Sequence, residues 1–443
     1  MAPINSLHHK IWRIAWPAIL SNISVPLLGL VDTALLGHLD NIQYLGAAAI
    51  GASVLSFVYW GFGFLRMGTT GLVARAAGAG DTARELTVVL QSLVLALLLA
   101  APVILLHPLW ASFGLWLMSP EAHIAPLASS YISIRVFSAP AVLVTYAVVG
   151  WCIGRQDTRW PMLIVVFTNL LNIALDVLFI RVFDWRSDGA ALATLLAEYA
   201  GCLLALAVLY RRCNWEPLAQ IRSQLRRYSA YRELLESNRY LFVRTMCLLF
   251  GFAFFTAMST RMGSDVLAAN TIMLQLLMLA AYGLDGFAFA AEGLAGNAAG
   301  AGNLDHFHRV VAACTRWCLG TAALFSGSFL LVGAWLYPIF TTHENVLVLL
   351  STYQWWLIAM PLVAVWSYLM DGVFIGAART RYMMRSMLVS LFLVYLPAWY
   401  LLQGFGNHGL WLAFLLFNGA RGLTLALDYR HLNRIGGWLD SPG

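Results

Sequence analysis

Asp32, Asn169, Asn172, Asp176, Thr194 and Tyr131 are the residues of this 443-residue chain whose types and spacing could do chemistry. All lie within long apolar runs, where an ionisable or amide side chain is costly and marks a working site by default. Asn169, Asn172 and Asp176 are three and four residues apart, so on a helix they share one face. Glu198 lies four residues beyond Thr194 on the same face of its own run. Two or three carboxylates with amide and hydroxyl partners can hold a proton between them, because desolvation and like charge both favour the protonated form. The same oxygens can bind a small cation such as Na+ at Asp32, Asn172, Asp176 and Thr194, and the residue types leave both options open. Each residue also has a plainer reading: Asp32 as a structural acceptor, and Thr194 bonded to its own helix backbone.

The elements that must position these groups are membrane spans. The chain is 60% hydrophobic and 11% charged, with a mean hydropathy of +0.74, whereas a soluble domain carries about 25% charged residues. Apolar runs long enough to cross a bilayer number twelve, at 11–37, 44–74, 85–111, 122–153, 160–182, 188–211, 236–261, 265–297, 306–336, 345–377, 382–403 and 407–429. The expected fold is therefore all-α and polytopic. Pro26 sits within span one and removes a backbone bond, favouring a bend; Pro140 and Pro361 do the same in spans four and ten. The first apolar run is too long for a leader and lacks a small-residue cleavage site, so it reads as a span.

Basic residues set the orientation. With the N-terminus in the cytoplasm, the inner segments carry Lys10, Arg13, Arg75, Arg84, Arg155, Arg159, the 214–235 cluster, Arg309, Arg379, Arg381, Arg385, Arg430 and Arg434. The outer loops carry only Arg181, Arg186 and Arg261. Both termini are thus expected to be cytoplasmic. In that frame Asp32 lies about five residues, roughly 8 Å, from the outer end of span one. Asp176 and Thr194 lie about six residues from the outer ends of spans five and six, and Tyr131 about nine residues into span four. Four spans of the first half thus bring polar groups to one depth in the outer leaflet.

The chain repeats itself. Ala76–Gly80 and Ala298–Gly302 both read AAGAG, an offset of 222 residues. The same offset pairs Leu45 with Leu267, Tyr131 with Tyr353, Gly150 with Gly372, and Thr158-Arg159 with Thr380-Arg381. Two lobes of six helices follow, 1–213 and 236–443, joined by an amphipathic cytoplasmic linker over 214–235. Trp215, Leu218, Ile221, Leu225 and Tyr228 stand in the linker at helical spacing among Arg222, Arg226 and Arg227. Two similar lobes in a bilayer can expose one central site to each side in turn.

The second half lacks the outer acid, since Asp32 plus 222 is Phe254. Its acids, Asp285, Glu292 and Asp371, fall in the inner half or at the inner edge. Arg66 plus 222 is 288, less than a turn from Asp285, which suggests an inner gate closed by an Arg66–Asp285 pair, with Asp371 as a further candidate; local pairing within each lobe is the alternative.

Other signals carry less. The AAGAG stretches follow no strand and precede no Lys-Ser/Thr, so they are not phosphate loops; they sit at inner helix ends, where glycine terminates helices. The six cysteines lack metal-ligand spacing, and no disulfide or structural metal is expected. Neither HExxH nor GxSxG occurs, so no enzyme chemistry is visible.

Pro26–Gly37 (PLLGLVDTALLG), Asn172–Asp176 (NIALD), Gly189–Thr194 (GAALAT) and the duplicated AAGAG segment resemble the multidrug and toxic compound extrusion (MATE) family, in its DinF-like branch. The resemblance spans essentially the whole chain. It implies a V of two six-helix lobes around a central cavity in the bacterial inner membrane, with no cofactor and no nucleic acid partner, working as a monomer. It implies export of small amphipathic, often cationic compounds in exchange for H+ or, second, Na+. It places Asp32, Asn172, Asp176 and Thr194 at the first-lobe cation-coupling site, with Tyr131 beside them; Glu198 and Asn169 are secondary candidates from their helical spacing alone. A lipid-linked or polysaccharide flippase of the same superfamily is the alternative.

Overall fold

The computed structural model describes residues 4–37, 41, 43–222, 225 and 227–439; the side chains of Ile4, Asn5, Leu30, Asp32, Tyr228 and Ala334 lie outside that description. Twelve helical stretches among these residues are long and apolar enough to cross a membrane. No strand occurs among them, as expected where lipid offers the backbone no hydrogen-bond partners.

Span one is α1 (Ile4–Gly37). Span two is α2 (Gln43–Gly61) and α3 (Phe64–Ala79), broken at Phe62-Gly63. Span three is α4 (Thr82–Leu105), followed by the shorter α5 (His107–Met118). Span four joins α6 (Ala125–Arg135) to α7 (Ala139–Gly154) through a 3-10 turn, Val136–Ser138. The break falls where Pro140 enters the first turn of α7, a place that needs no backbone donor. Span five is α8 (Arg159–Asp176) continued by a π-helical turn, Val177–Val182; span six is α9 (Arg186–Arg212).

After the single turn α10 (Leu218–Ile221), spans seven to ten are α11 (Arg232–Arg261), α12 (Ser264–Gly300), α13 (Leu304–Phe340) and α14 (Glu344–Gly376). Span eleven is α15 (Thr380–Leu388), a π-helical stretch Val389–Tyr395, and α16 (Leu396–Leu402). Span twelve is α17 (Asn407–Ile435). Helix α1 runs past Pro26, and α14 past Pro361, without interruption.

The helices form two compact units. One comprises Leu20–Val73 and Asp81–Leu234. Among its polar ties, Trp151 Nε1 donates to Glu85 at 2.8 Å, and Thr69 Oγ1 donates to Ser92 Oγ at 2.8 Å. Linker residues 214–234 fall in this unit, and the described ones form separate turns rather than the continuous amphipathic helix their spacing suggested. Pro217 starts a single turn that packs Ile221 against α4, and a 3-10 turn, Tyr228–Tyr231, follows. Its carbonyl at Ala230 accepts from Gln91, which fastens the segment to α4.

The other unit comprises Met1–Ile19, Ala74–Gly80 and Leu235–Gly443. The duplicated AAGAG stretches meet inside it. A methyl group on Gly78 would lie 2.7 Å from the carbonyl carbon of Asn297, and one on Gly300 would lie 2.7 Å from that of Arg75. Arg75 plus 222 is Asn297, so the two contacts are one contact made twice, backbone against backbone. The terminal glycines do the helix-ending expected of them: Gly80 and Gly302 have φ of +71° and +69°. Asp81 and Asn303 then cap the next helices by accepting from Arg84 N and His306 N at 2.9 Å. At the same end Trp438 is fully buried among Phe307, Phe374 and Tyr429, and Arg75 donates to the carbonyls of Ala377 and Trp438.

Candidate functional site

The site sits in the first-described unit, on α8, α9 and the outer half of α1. Asn172 and Asp176 are both 0% exposed. One helical turn separates them, and the α-helix gives way to the π turn immediately after Asp176. π turns insert an extra residue per turn and recur at functional sites; nothing in the apolar pattern of span five announces this one. Asn172 Nδ2 donates to Thr194 Oγ1 at 3.1 Å, and Thr194 spends its own proton on Ala190 O at 2.9 Å. With that proton committed, Thr194 can only accept from Asn172, which fixes the amide orientation. Asn172 Oδ1 is therefore the outward acceptor, and it is buried with no hydrogen-bond partner among the described residues.

Asn169, two turns back along α8, donates to Ser24 O at 3.3 Å and to Ser24 Oγ at 3.2 Å, joining α8 to α1. Spans one and five run the same way through the bilayer in the expected topology. Seven residues beyond Asn169 is Asp176, and eight beyond Ser24 is Asp32, about 10 and 12 Å along their axes. The backbone of Asp32 is thus level with Asp176, while its side chain lies outside the described residues.

Glu198 is engaged by Arg135 of α6 at 2.8 Å, an ion pair whose side chains are 19% and 10% exposed. Tyr131 lies four residues before Arg135, and Thr194 four before Glu198, on two helices expected to run the same way. That arithmetic sets Tyr131 level with Thr194. Tyr131 is buried, its ring packed on Gly51 of α2. Neither Ser24 nor Arg135, as the partner of Glu198, was anticipated by the spacing.

In the other unit Asp371 accepts from Arg244 and, at 2.9 Å, from Arg421, which also donates to Asn418 Oδ1 at 3.1 Å. Both guanidiniums address one carboxylate oxygen, so the acid is tied locally and a cation brought there would meet two positive charges. Arg421 was legible as a base within span twelve but went unremarked. Arg66 lies on α3 of the first-described unit and Asp285 on α12 of the second. No cluster of three or more His, Cys, Asp or Glu with metal-binding geometry occurs among the described residues. Asp176, Asn172 and Thr194 remain candidate oxygens for a bare cation, Asn172 Oδ1 being buried without a hydrogen-bond partner among the described residues.

The MatE family model matches this chain twice, over residues 17–178 and 241–401. The chain belongs to the MATE family. Across 443 residues it is 38% identical to DNA damage-inducible protein F of Escherichia coli K12, covering 99% of this chain and 95% of that one. It is 25% identical over 320 residues to the probable multidrug resistance protein NorM of Thermotoga maritima, covering 70% and 67%. Its fold matches the Vibrio cholerae MATE transporter VcmN in the bent form, with a TM-score of 0.83 at 22% identity over 99% of each chain. The protein is a multi-pass membrane transporter, not an enzyme, and it handles small molecules.

Proposed function

We propose that this MATE transporter exports amphipathic, often cationic compounds from the bacterial cytoplasm in exchange for protons, with coupling at Asp32, Asn172, Asp176 and Thr194. The observation that carries this reading is the fully buried Asp176 one turn from an acceptor oxygen, Asn172 Oδ1, that Thr194 holds in place. A carboxylate at that depth keeps its charge only at high cost unless compensated. A proton on the carboxyl would find Asn172 Oδ1 as its acceptor. Na+ would find the same oxygens and is the second choice.

Loading changes the hydrogen bonds around α8, and Asn169 transmits the change to Ser24 of α1. Pro26 stands two residues on, where the missing backbone donor leaves α1 ready to bend. Bending of α1 would favour substrate release. Coupling needs only that ion and substrate prefer different conformations, and the ion's differential affinity limits the effect. Both termini are assigned to the cytoplasm.

The test is proton release on substrate addition. Purified wild-type protein in weakly buffered detergent, titrated with a lipophilic dye cation, should release protons to a soluble pH indicator, and Asp176→Asn should release markedly fewer. Dye binding without proton release in the wild type would overturn proton coupling.

A further inference from the structure

The cytoplasmic end of span eleven carries a groove that the transport reading leaves unused. It has a volume of about 520 Å³ and lies between the start of α11 and α15, within one unit. Its polar wall is Arg379, Arg381, Arg385, Tyr240, Tyr382 and Glu236, three guanidiniums against one carboxylate. Glu236 is already engaged, accepting from Tyr240 at 2.9 Å and lying 3.9 Å from Arg239. Arg379 donates to the carbonyl of Gly437. Arg381 and Arg385 are different. They stand one turn apart on α15, both exposed, and neither forms an ion pair with a described residue. Asp428 of α17 is close enough to be felt by Arg385 without pairing to it.

Below these two bases the groove turns apolar at Met384, Leu388 and Val389. The apolar surface continues along span eleven through Phe392 and Leu393, which are 52% and 70% exposed. From Arg381 to Leu393 is twelve residues, about 18 Å of helix, close to the ~15 Å depth of one leaflet. The opposite face of α15 is buried through Met383, Ser386 and Met387. The exposed face therefore pairs two guanidiniums, neither in an ion pair with a described residue, with one leaflet's depth of apolar side chains. Basic recesses between spans on the cytoplasmic side suit anionic lipid headgroups.

We propose that this groove binds an anionic glycerophospholipid of the inner leaflet, its phosphate between Arg381 and Arg385 and an acyl chain along Leu388, Val389, Phe392 and Leu393. The leaflet assignment rests on the orientation read from the basic loops. The phosphate site itself rests only on the groove.

The experiment is native mass spectrometry of detergent-purified protein with dioleoyl-phosphatidylglycerol or dioleoyl-phosphatidylcholine. Wild type should retain phosphatidylglycerol preferentially. Arg381→Ala with Arg385→Ala should weaken retention roughly 30-fold, the combined weight of two basic residues at a lipid surface. Arg430→Ala with Arg434→Ala removes equal charge elsewhere and should retain the lipid. Arg381→Lys with Arg385→Lys should restore much of the loss. Equal retention of both lipids by wild type, equal loss in the 430/434 control, or displacement of the lipid by excess inorganic phosphate would each overturn the proposal. If the alanine variant does not fold, the wild-type headgroup preference still decides. Labelling of Arg381→Cys by an impermeant maleimide, in right-side-out and inverted vesicles, tests the leaflet separately.

Discussion

Gly300→Ala is the most informative single change outside the coupling site. A methyl group there would sit 2.7 Å from the carbonyl carbon of Arg75 and 2.8 Å from its Cα, and closer still to its oxygen. Ordinary van der Waals contact begins near 3.4 Å, so the backbones must part by at least 0.7 Å (3.4 − 2.7). The obstacle is main chain, which cannot rotate away as a side-chain tip can. Overpacking of this kind costs about 1–3 kcal/mol, against which the better helix propensity of alanine returns about 1 kcal/mol. Gly78→Ala should behave alike, because it makes the mirror contact with Asn297. The double variant should cost less than the sum, since one separation makes room for both methyls. Gly320→Ala in α13 is the control: nothing lies within 4 Å of its added methyl, so it should be neutral or stabilising. The assay is thermal unfolding of purified protein, paired with dye transport in proteoliposomes. Wild-type stability in both Gly78→Ala and Gly300→Ala would refute the close crossing. Strictly additive losses would refute its reciprocity.

Asp371→Asn should be strongly destabilising, by about 3–5 kcal/mol, because it strands Arg244 and Arg421; thermal unfolding reads this, and replacing one arginine as well should recover part of the loss. Thr194→Val removes the acceptor for Asn172 Nδ2 while keeping the shape. It should cost about 1–3 kcal/mol in stability or coupling-ion affinity, read by thermal shift and by the ion concentration that half-saturates transport. Burial pushes the Cys213 thiol up to about 11, with Glu85 adding to the effect. The thiolate is the reactive form, so at pH 8 only roughly one thiol in a thousand reacts at a time. Alkylation of Cys213 should therefore rise about tenfold per pH unit up to pH 10, as peptide mass mapping would show, whereas a plateau near pH 8.5 would contradict the burial.

The spans were legible because lipid demands long apolar helices, and the 222-residue repeat was written in identical pentapeptides. The depth arithmetic set Asp32, Asp176, Thr194 and Tyr131 at one level, since rise per residue is nearly invariant along a helix, and the three- and four-residue spacings put Asn169 and Asn172 on the face of Asp176. What stayed hidden depended on contacts between helices. The amide orientation of Asn172 follows from Ala190 O, a backbone atom on another helix. The Ser24–Asn169 tie joins residues 145 positions apart. The π turn after Asp176 has no compositional signature, and the AAGAG glycines do a second job that only the crossing reveals. The linker went the other way: its apolar spacing promised one helix, but Pro217 and packing against α4 yielded separate turns.

In the proposed mechanism, coupling of transport to an ion rests with the first-lobe acids. The deciding measurement is uphill uptake of a fluorescent cationic dye into proteoliposomes, under an imposed proton gradient or an imposed sodium gradient, with wild type beside Asp32→Asn and Asp176→Asn. Proton-driven uptake that is lost in both variants is the predicted result. Undiminished proton-driven uptake in the two variants, or no dye movement under either gradient, would contradict it.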